Sequence, residues 1–592
     1  MSAQYVVGID LGTTNSVVAY VAAEAEFPEI CLLPIPQLVA AGTLETRDHL
    51  PSFLFLSDQA DPSFDLPWSK KRDYVVGEWA RRQSAENPDR TVSGAKSWLA
   101  HHRVDRHQPI LPWNAPENVP KISPVLASQR YLEHLVAAWT QQFPKAPLSQ
   151  QQVVLTVPAS FDASARELTH AAALAAGLPD HFVLLEEPQA AIYAWLAQAG
   201  ERWRKLVKVG DTLLVVDVGG GTTDLTLVTV AEEEGELQLR RVAVGNHLLV
   251  GGDNMDLALA HTAASLFAEK GTQLDPWQSV SLWHACRAAK ESLLSEGGAD
   301  THPVAVLGRG RKLVGGTVTV ELDRKSTQEL LLNGFLPACD LQSIVRKQRA
   351  SGFQQIGLPF EVETGITKHI AEFLRQQSTA GEPAIPTDIL LNGGVFKSPA
   401  IGDRLLQVMQ SWFPSAPPRP LAGERDLDHA VARGAAYYGW AKDHGGVRIR
   451  GGTARSYYVG IETSGLAIPG VPRPLNALCV VPRGMEEGTS VDVDSAEFGL
   501  IVGEPAHFRF FSSAMRKEDQ PGDLLRQWTE EELTETDSLE ATLPAEEGIA
   551  GLDIPVHFRS VITELGMFEL WCVSTNSDHR WKLEFSVREA EE

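Results

Sequence analysis

Along residues 1–445, short apolar runs alternate with stretches of helical period. Runs at 5–7, 17–21, 152–157, 183–187, 212–217, 224–230, 237–244 and 389–391 read as strands, and the one at 152–157 carries the signal of a buried strand. Helical spacing recurs between them. It is clearest at 131–143, where Leu132, Leu135, Val136 and Trp139 share a face, and it returns at 165–176, 189–198, 254–268, 283–294, 401–409 and 428–440. Gly177 and Pro179 stop the second of these helices. Such alternation predicts an α/β fold. Proline-rich stretches, at 28–36 and around Pro62 and Pro67, read as surface loops or an insertion.

The pattern changes at Asp443-His444-Gly445-Gly446. Beyond it come only short strand-like runs, at 457–461, 477–481, 490–493, 507–511, 555–563, 567–573 and 581–587. The expected division is therefore 1–445 as an α/β unit, 446–455 as a linker and 456–592 as a small β-sandwich-like domain. The acidic run at 530–547 reads as a solvated loop or short helix.

Composition adds exclusions. The chain is 43% hydrophobic and 22% charged, ordinary for a soluble globular protein. Its net charge of −24 opposes a nucleic-acid partner but leaves room for a local cleft that takes one nucleotide. The five cysteines, Cys31, Cys286, Cys339, Cys479 and Cys572, form no Cys-x-x-Cys pair, which suits a reducing compartment. With no signal-peptide pattern and no apolar run of about eighteen residues, no membrane is expected and cytoplasm is the default.

The candidate chemistry lies in two turns. Gly8-Ile9-Asp10-Leu11-Gly12-Thr13-Thr14-Asn15-Ser16 continues the first strand. Asp217-Val218-Gly219-Gly220-Gly221-Thr222-Thr223-Asp224 follows Leu213-Leu214-Val215-Val216. Glycine lets backbone N–H groups close around an anion, and threonine hydroxyls add donors. The aspartates would repel a phosphate unless a cation lay between, so each turn predicts phosphate with a divalent ion, Mg²⁺ keeping its waters. There is no GxxxxGK[ST] P-loop, and Gly308-Arg309-Gly310 lacks the third glycine of a dinucleotide fingerprint because Leu313 stands there. His101, His102, Asp105 and His107 are a surface-like set rather than a metal centre.

Taken in order, these and further motifs resemble the nucleotide-binding domain of the seventy-kilodalton heat-shock chaperones of the DnaK type. The further motifs are Val75-Val76-Gly77 through Asn87-Pro88, Val157-Pro158-Ala159-Ser160-Phe161 with Arg166, Glu187-Pro188-Gln189-Ala190-Ala191, Gly251-Gly252-Asp253-Asn254-Met255-Asp256, Lys290-Glu291-Ser292-Leu293, Asn392-Gly393-Gly394 through Pro399, and Asp428 through Ala436. The resemblance covers residues 1–445. Val459-Gly460-Ile461-Glu462-Thr463 and Val481-Pro482-Arg483-Gly484 look like a reduced β substrate-binding domain, without the helical lid.

The resemblance implies an actin-like ATPase fold of two duplicated lobes that binds ATP or ADP with Mg²⁺. It sets Gly12, Thr13, Thr14, Asn15, Gly219, Gly220, Gly221, Thr222 and Thr223 along the phosphates, and Asp10 and Asp217 on the waters of Mg²⁺. Glu187 and Arg81 would serve hydrolysis. Gly251, Gly252, Asp253, Lys290, Glu291, Gly393, Gly394, Lys397 and Asp428 would complete the nucleotide site, and Pro158 and Arg166 would link it to the β domain. Implied partners are extended or unfolded polypeptides, a J-domain co-chaperone and a nucleotide-exchange factor. Departures are Arg81 where the family lysine is expected, Arg287 and Glu291 on the adenosine-side helix, and Arg448 and Arg450 in place of an apolar linker, which would weaken its docking. Segments 27–49 and 338–360 look like insertions. A small-molecule kinase, a polymerising scaffold and a non-hydrolysing ATP-sensing scaffold on the same fold stay open.

Overall fold

In the computed structural model the first apolar run forms β1 (Tyr5–Leu11), which turns into β2 (Asn15–Ala22). The structure describes residues 3–585 except 59–60, 62–63, 71, 102, 234–235, 307–317, 347–357, 359, 378–381, 424–425, 463–473, 494–497, 502–504, 530–531, 537–538, 543–552 and 564. His102, the 308–313 turn, Thr463 and parts of the 338–360 and 530–547 stretches thus lie outside the described residues.

After β2 a hairpin forms from β3 (Ile35–Ala40) and β4 (Thr43–Arg47), within the 27–49 stretch expected to be an insertion. Helices α1 (Glu78–Glu86), α2 (Ala95–Leu99) and α3 (Pro124–Gln142) follow, then β5 (Gln152–Val157), α4 (Ala163–Ala175), β6 (Val183–Glu186) and α5 (Glu187–Ala199). β5 pairs parallel with β1, which requires a crossover, and α3 supplies it. α3 begins seven residues before its apolar stripe. Ser123 accepts the Leu126 N–H at 3.0 Å, and Pro124 occupies the first helical position, where a missing N–H costs nothing. The sheet runs β6-β5-β1-β2, then Cys31–Leu32.

The same arrangement is built again. β7 (Thr212–Val218), β8 (Thr223–Glu233) and β9 (Glu236–Val244) lead to α6 (Gly252–Glu269), α7 (Pro276–Leu294), α8 (Ile366–Gln376), β10 (Asp388–Asn392), α9 (Pro399–Trp412) and α10 (Ala430–Asp443). β7 pairs antiparallel with β8 and parallel with β10, as β1 does with β2 and β5. Asp10 faces Thr156 on its parallel neighbour, and Asp217 faces Asn392. Val7, Ile9 and Trp139 lie in one core, Val216, Leu391 and Leu405 in another. Tyr193, Val215 and Ala435 fill a third between the sheets.

The linker does not behave as its arginines suggested. Ile449–Arg450 pairs parallel with β9 as an edge strand of the second sheet. The Ile449 N–H donates to the Tyr193 hydroxyl at 2.9 Å and its side chain enters the third core, while Arg450 reaches Glu233 at 3.2 Å. Successive side chains on a strand point opposite ways, so one face buries isoleucine while the other keeps arginine in water.

From residue 456 onward the described elements are strands. β11 (Ser456–Glu462) and β12 (Leu475–Val481) are the centre of a five-stranded sheet. β13 (Asp553–Ile562), β14 (Phe568–Ser574) and β15 (Arg580–Phe585) belong to a seven-stranded one. Both sheets feed one apolar core, in which the Tyr457, Phe510 and Phe568 rings stack with centroids 5.5–5.7 Å apart. No helix among the described residues is long and apolar enough to cross a membrane.

Candidate active site

The turns after β1 and β7 meet. Gly220 has no room for a side chain, because a Cβ there would overlap Thr14 Oγ1, and one on Gly221 would lie 3.2 Å from Thr13 Cγ2. Beside them opens a cavity of about 490 Å³. Of the residues named from sequence, Asp10, Gly12, Thr13, Thr14, Asn15, Arg81, Glu187, Asp217, Gly219, Gly220, Thr222, Gly252, Asp253, Lys290, Glu291, Gly393, Gly394, Lys397 and Asp428 line it. Three do not. Thr223 is buried and its hydroxyl donates to the Val250 carbonyl at 2.7 Å, so it turns away from the cleft. Gly251 sits behind the second turn, its N–H held by Asn254 Oδ1 at 2.9 Å, and Gly221 packs against Ser97 and Thr13.

Four carboxylates, those of Asp10, Glu187, Asp217 and Asp224, share the cavity floor, and a single ammonium, Lys96, is set among them. Lys96 forms an ion pair with Glu187 and is buried. Burial alone would depress its pKa, but Glu187 and Asp10 outweigh that and raise it. Burial, with Glu187 adding repulsion, lifts Asp10 to about 7 and Asp217 to about 8. Asp224 and Glu187 are also raised, burial being the main cause in each. Asp217 is oriented by Asn392, whose Nδ2 donates to it at 2.8 Å, and Asp224 accepts from Ser160 at 2.5 Å. The donor set is oxygen only and short of positive charge, which suits a hard divalent cation and an anion brought with it.

Arg81 is not the cation that serves Glu187. Its guanidinium is taken by Glu78, three residues earlier on α1, at 3.0 Å. The motif points to Arg81 because it follows Ala80, and it does not mark Lys96, a lysine inside the buried helix Ala95–Leu99. A charged residue in so apolar a helix was the available signal. Asp224, quoted only as the end of a motif, was also missed as a site carboxylate.

The far wall is an ion-pair network. Arg287 binds Asp253 at 2.6 Å and Asp256 at 2.9 Å. Lys290, on the same face of α7, binds Asp256 at 2.6 Å and donates to the Gly252 carbonyl at 2.9 Å. Lys397 pairs with Asp428 at 2.5 Å across the rim. Gly393, with φ of 92°, turns the chain where β10 ends, and a Cβ there would press to 2.7 Å from Asp217 Oδ1. His101, from the discounted histidine set, is buried and stacks on Trp98 at 5.3 Å.

Two like sheets that close a cleft over paired acidic turns, with helices about them, are the actin-like ATPase fold. A family model described as Hsp70 protein matches residues 57–334. A chaperone protein DnaK of Stenotrophomonas maltophilia (strain R551-3) is 29% identical over 309 residues, 49% of this chain and 43% of that protein. A chaperone protein HscA of Enterobacter sp. (strain 638) is 32% identical over 267 residues, 43% of this chain and 36% of that protein. The chain is thus similar to Hsp70 proteins over just under half of its length. Each match takes in less than half of the relative's own length.

Proposed function

We propose that this chain is an ATP-dependent chaperone-type ATPase that hydrolyses Mg-ATP slowly in the cleft and couples this to binding extended polypeptide on the β sheets beyond residue 456. The observation that carries the reading is the charge imbalance of the cleft floor, four carboxylates to one ammonium, under two facing glycine–threonine turns. Asp10 and Asp217 would hold the waters of Mg²⁺, which when bound neutralises charge on the terminal phosphates. Backbone N–H groups of residues 12–14 and 220–222 hold the phosphates in place, the Gly219 N–H being spent on the Thr222 carbonyl at 2.9 Å. Glu187 orients the attacking water, and Lys96 opposes the burial that disfavours the Glu187 carboxylate and adds positive charge beside the transferred group.

Coupling has a short path on this reading. Glu187 faces the cleft while Glu186, its chain neighbour, faces the β sheets. Glu186 binds Arg166 at 2.8 Å and pairs with buried Arg241, which also donates to the Gly452 carbonyl after the linker strand. The division at 445 and 456, polypeptide clients held by strand addition, J-domain and exchange-factor partners and a cytoplasmic location all belong to this proposal.

Single-turnover hydrolysis of labelled ATP by the wild type, Asp217→Ala and Lys96→Met, with and without an unfolded peptide, tests it. Loss of turnover in both variants and stimulation of the wild type by peptide are expected. If Asp217→Ala turns over like the wild type, the site assignment fails. If peptide leaves the wild-type rate unchanged, the coupling fails.

A further inference from the structure

A separate group of metal-ligating side chains sits on the cavity rim. Asp48 and His49 follow β4, and His429 is the residue before α10. Their ligand atoms all lie within 4.8 Å of one another. His49 Nδ1 is 2.7 Å from Asp48 Oδ1, and His429 Nε2 is 3.2 Å from Asp48 Oδ2. The second nitrogen of His429 is already committed. Its Nδ1 lies 2.8 Å from Asp426 Oδ1, and Arg433 fixes the other Asp426 oxygen at 3.0 Å while donating to the Ile30 carbonyl at 2.8 Å. The His429 side chain is only 14% exposed, so this anchoring sets its direction. An imidazole held at one nitrogen by a carboxylate, with the other aimed at a second imidazole and a carboxylate, is the outer-shell arrangement that orients metal ligands.

We propose that Asp48, His49 and His429 form a binding site for one first-row transition ion, zinc in the first place, distinct from the oxygen-only floor of the cleft. Two imidazoles and one carboxylate suit zinc, cobalt or nickel and disfavour magnesium and calcium, which prefer oxygen alone. Tetrahedral bonds of about 2.1 Å set ligand atoms about 3.4 Å apart, so small side-chain rotations bring the three together, with water in the fourth position. Since His49 lines the cavity and His429 adjoins Asp428, a bound ion ties the loop after β4 to the start of α10 across the rim. The proposal does not rest on the nucleotide reading.

The test is titration of the chelator-treated full chain, without nucleotide, by Co²⁺ in excess Mg²⁺. One Co²⁺ per chain is expected, with the intense visible absorption of a tetrahedral nitrogen–oxygen site that stoichiometric Zn²⁺ abolishes. His49→Ala, on a surface loop, and His429→Ala each weaken binding by about 100-fold or more. Asp426→Asn, which touches no ion, weakens it by about 10- to 100-fold. Wild-type binding no tighter than that of the double His49→Ala, His429→Ala variant overturns the site, as does a six-coordinate oxygen-type spectrum. Should His429→Ala fail to fold, His49→Ala decides alone.

Discussion

Replacing Asp217 by asparagine is expected to stabilise the ligand-free protein, and increasingly so as pH rises. Asp217 is a carboxylate whose pKa is lifted from 3.8 to about 8, chiefly by burial and then by Glu187. The native state therefore holds this proton more tightly than the unfolded chain. Between those two values the unfolded state has the fewer protons, so stability falls as pH rises. The rise from 3.8 to about 8, at about 1.36 kcal/mol for each pH unit, bounds the penalty at about 6 kcal/mol. The carboxylate keeps contact with solvent in the cavity, and screening reduces this to about 2–3 kcal/mol. Asparagine removes the charge and keeps an oxygen for the Asn392 donor, now 2.8 Å away. The gain should be about a third complete at pH 5 and full by pH 8.5. It should appear as a melting transition raised by about 2–3 °C, since the α/β unit of residues 1–445 unfolds with about 0.9 kcal/mol/K of entropy. Thermal melts of both proteins in EDTA, from pH 5 to pH 9, measure it. A variant less stable than the wild type at pH 8.5, or a difference that does not change with pH, would refute the electrostatic account of the cleft floor.

Binding of Mg-ATP at pH 7.5 should release about one proton, because Asp10 and Asp217 titrate near 7 and 8 and must be ionised beside the cation; calorimetry in buffers of different ionisation enthalpy shows it, and release that persists undiminished at pH 9.5 contradicts it. Lys96→Met should slow single-turnover hydrolysis by about 10²- to 10³-fold, whereas Arg81→Ala should change it less than about threefold, since Glu78 already occupies Arg81. Arg241→Ala should destabilise the junction by about 2 kcal/mol, less than the about 3–5 kcal/mol of an isolated buried pair because Arg166 remains on Glu186; a denaturant melt reads the loss. Burial would raise the Glu186 pKa, but Arg241 and Arg166 hold it below its ordinary 4.5. That junction's contribution is therefore present above pH 4.5 and lost as pH falls through the depressed value, which linker-strand hydrogen exchange at pH 3 against pH 6 would follow.

The acidic turns were legible because everything they need is local: an apolar strand, an aspartate, glycines and threonines within nine consecutive residues. Lys96 was not, because its significance lies in a contact 91 positions away with Glu187. Arg81 misled for the complementary reason. Its family context is carried by neighbours in sequence, while its charge is absorbed by Glu78 one helical turn back, which a motif does not reveal. The hairpin β3/β4 hid within a proline-bearing stretch: Pro36 lies inside β3, and Gly42, with φ of 67°, makes the turn. Asp48, His49 and His429 are unreadable as a set, for the third stands far along the chain and joins the others only because α10 packs back against the first sheet.

The linker strand docks despite its two arginines. Arg448 and Arg450 suggested a linker that could not dock on an apolar surface. Docking here is instead carried by backbone hydrogen bonds to β9, by the Ile449 side chain and by the Ile449 N–H on Tyr193, and none of these depends on the arginines. Because Tyr193 lies on α5, the helix that Glu187 begins, linker and cleft are fastened to one rigid element. A change in the charge borne by Glu187 acts at the first turn of that helix, and Glu186, one residue earlier, already carries the arginine that grips the Gly452 carbonyl. Two neighbouring glutamates thus face two different sites, Glu187 toward Lys96 in the cleft and Glu186 toward Arg166 and Arg241 beside the linker.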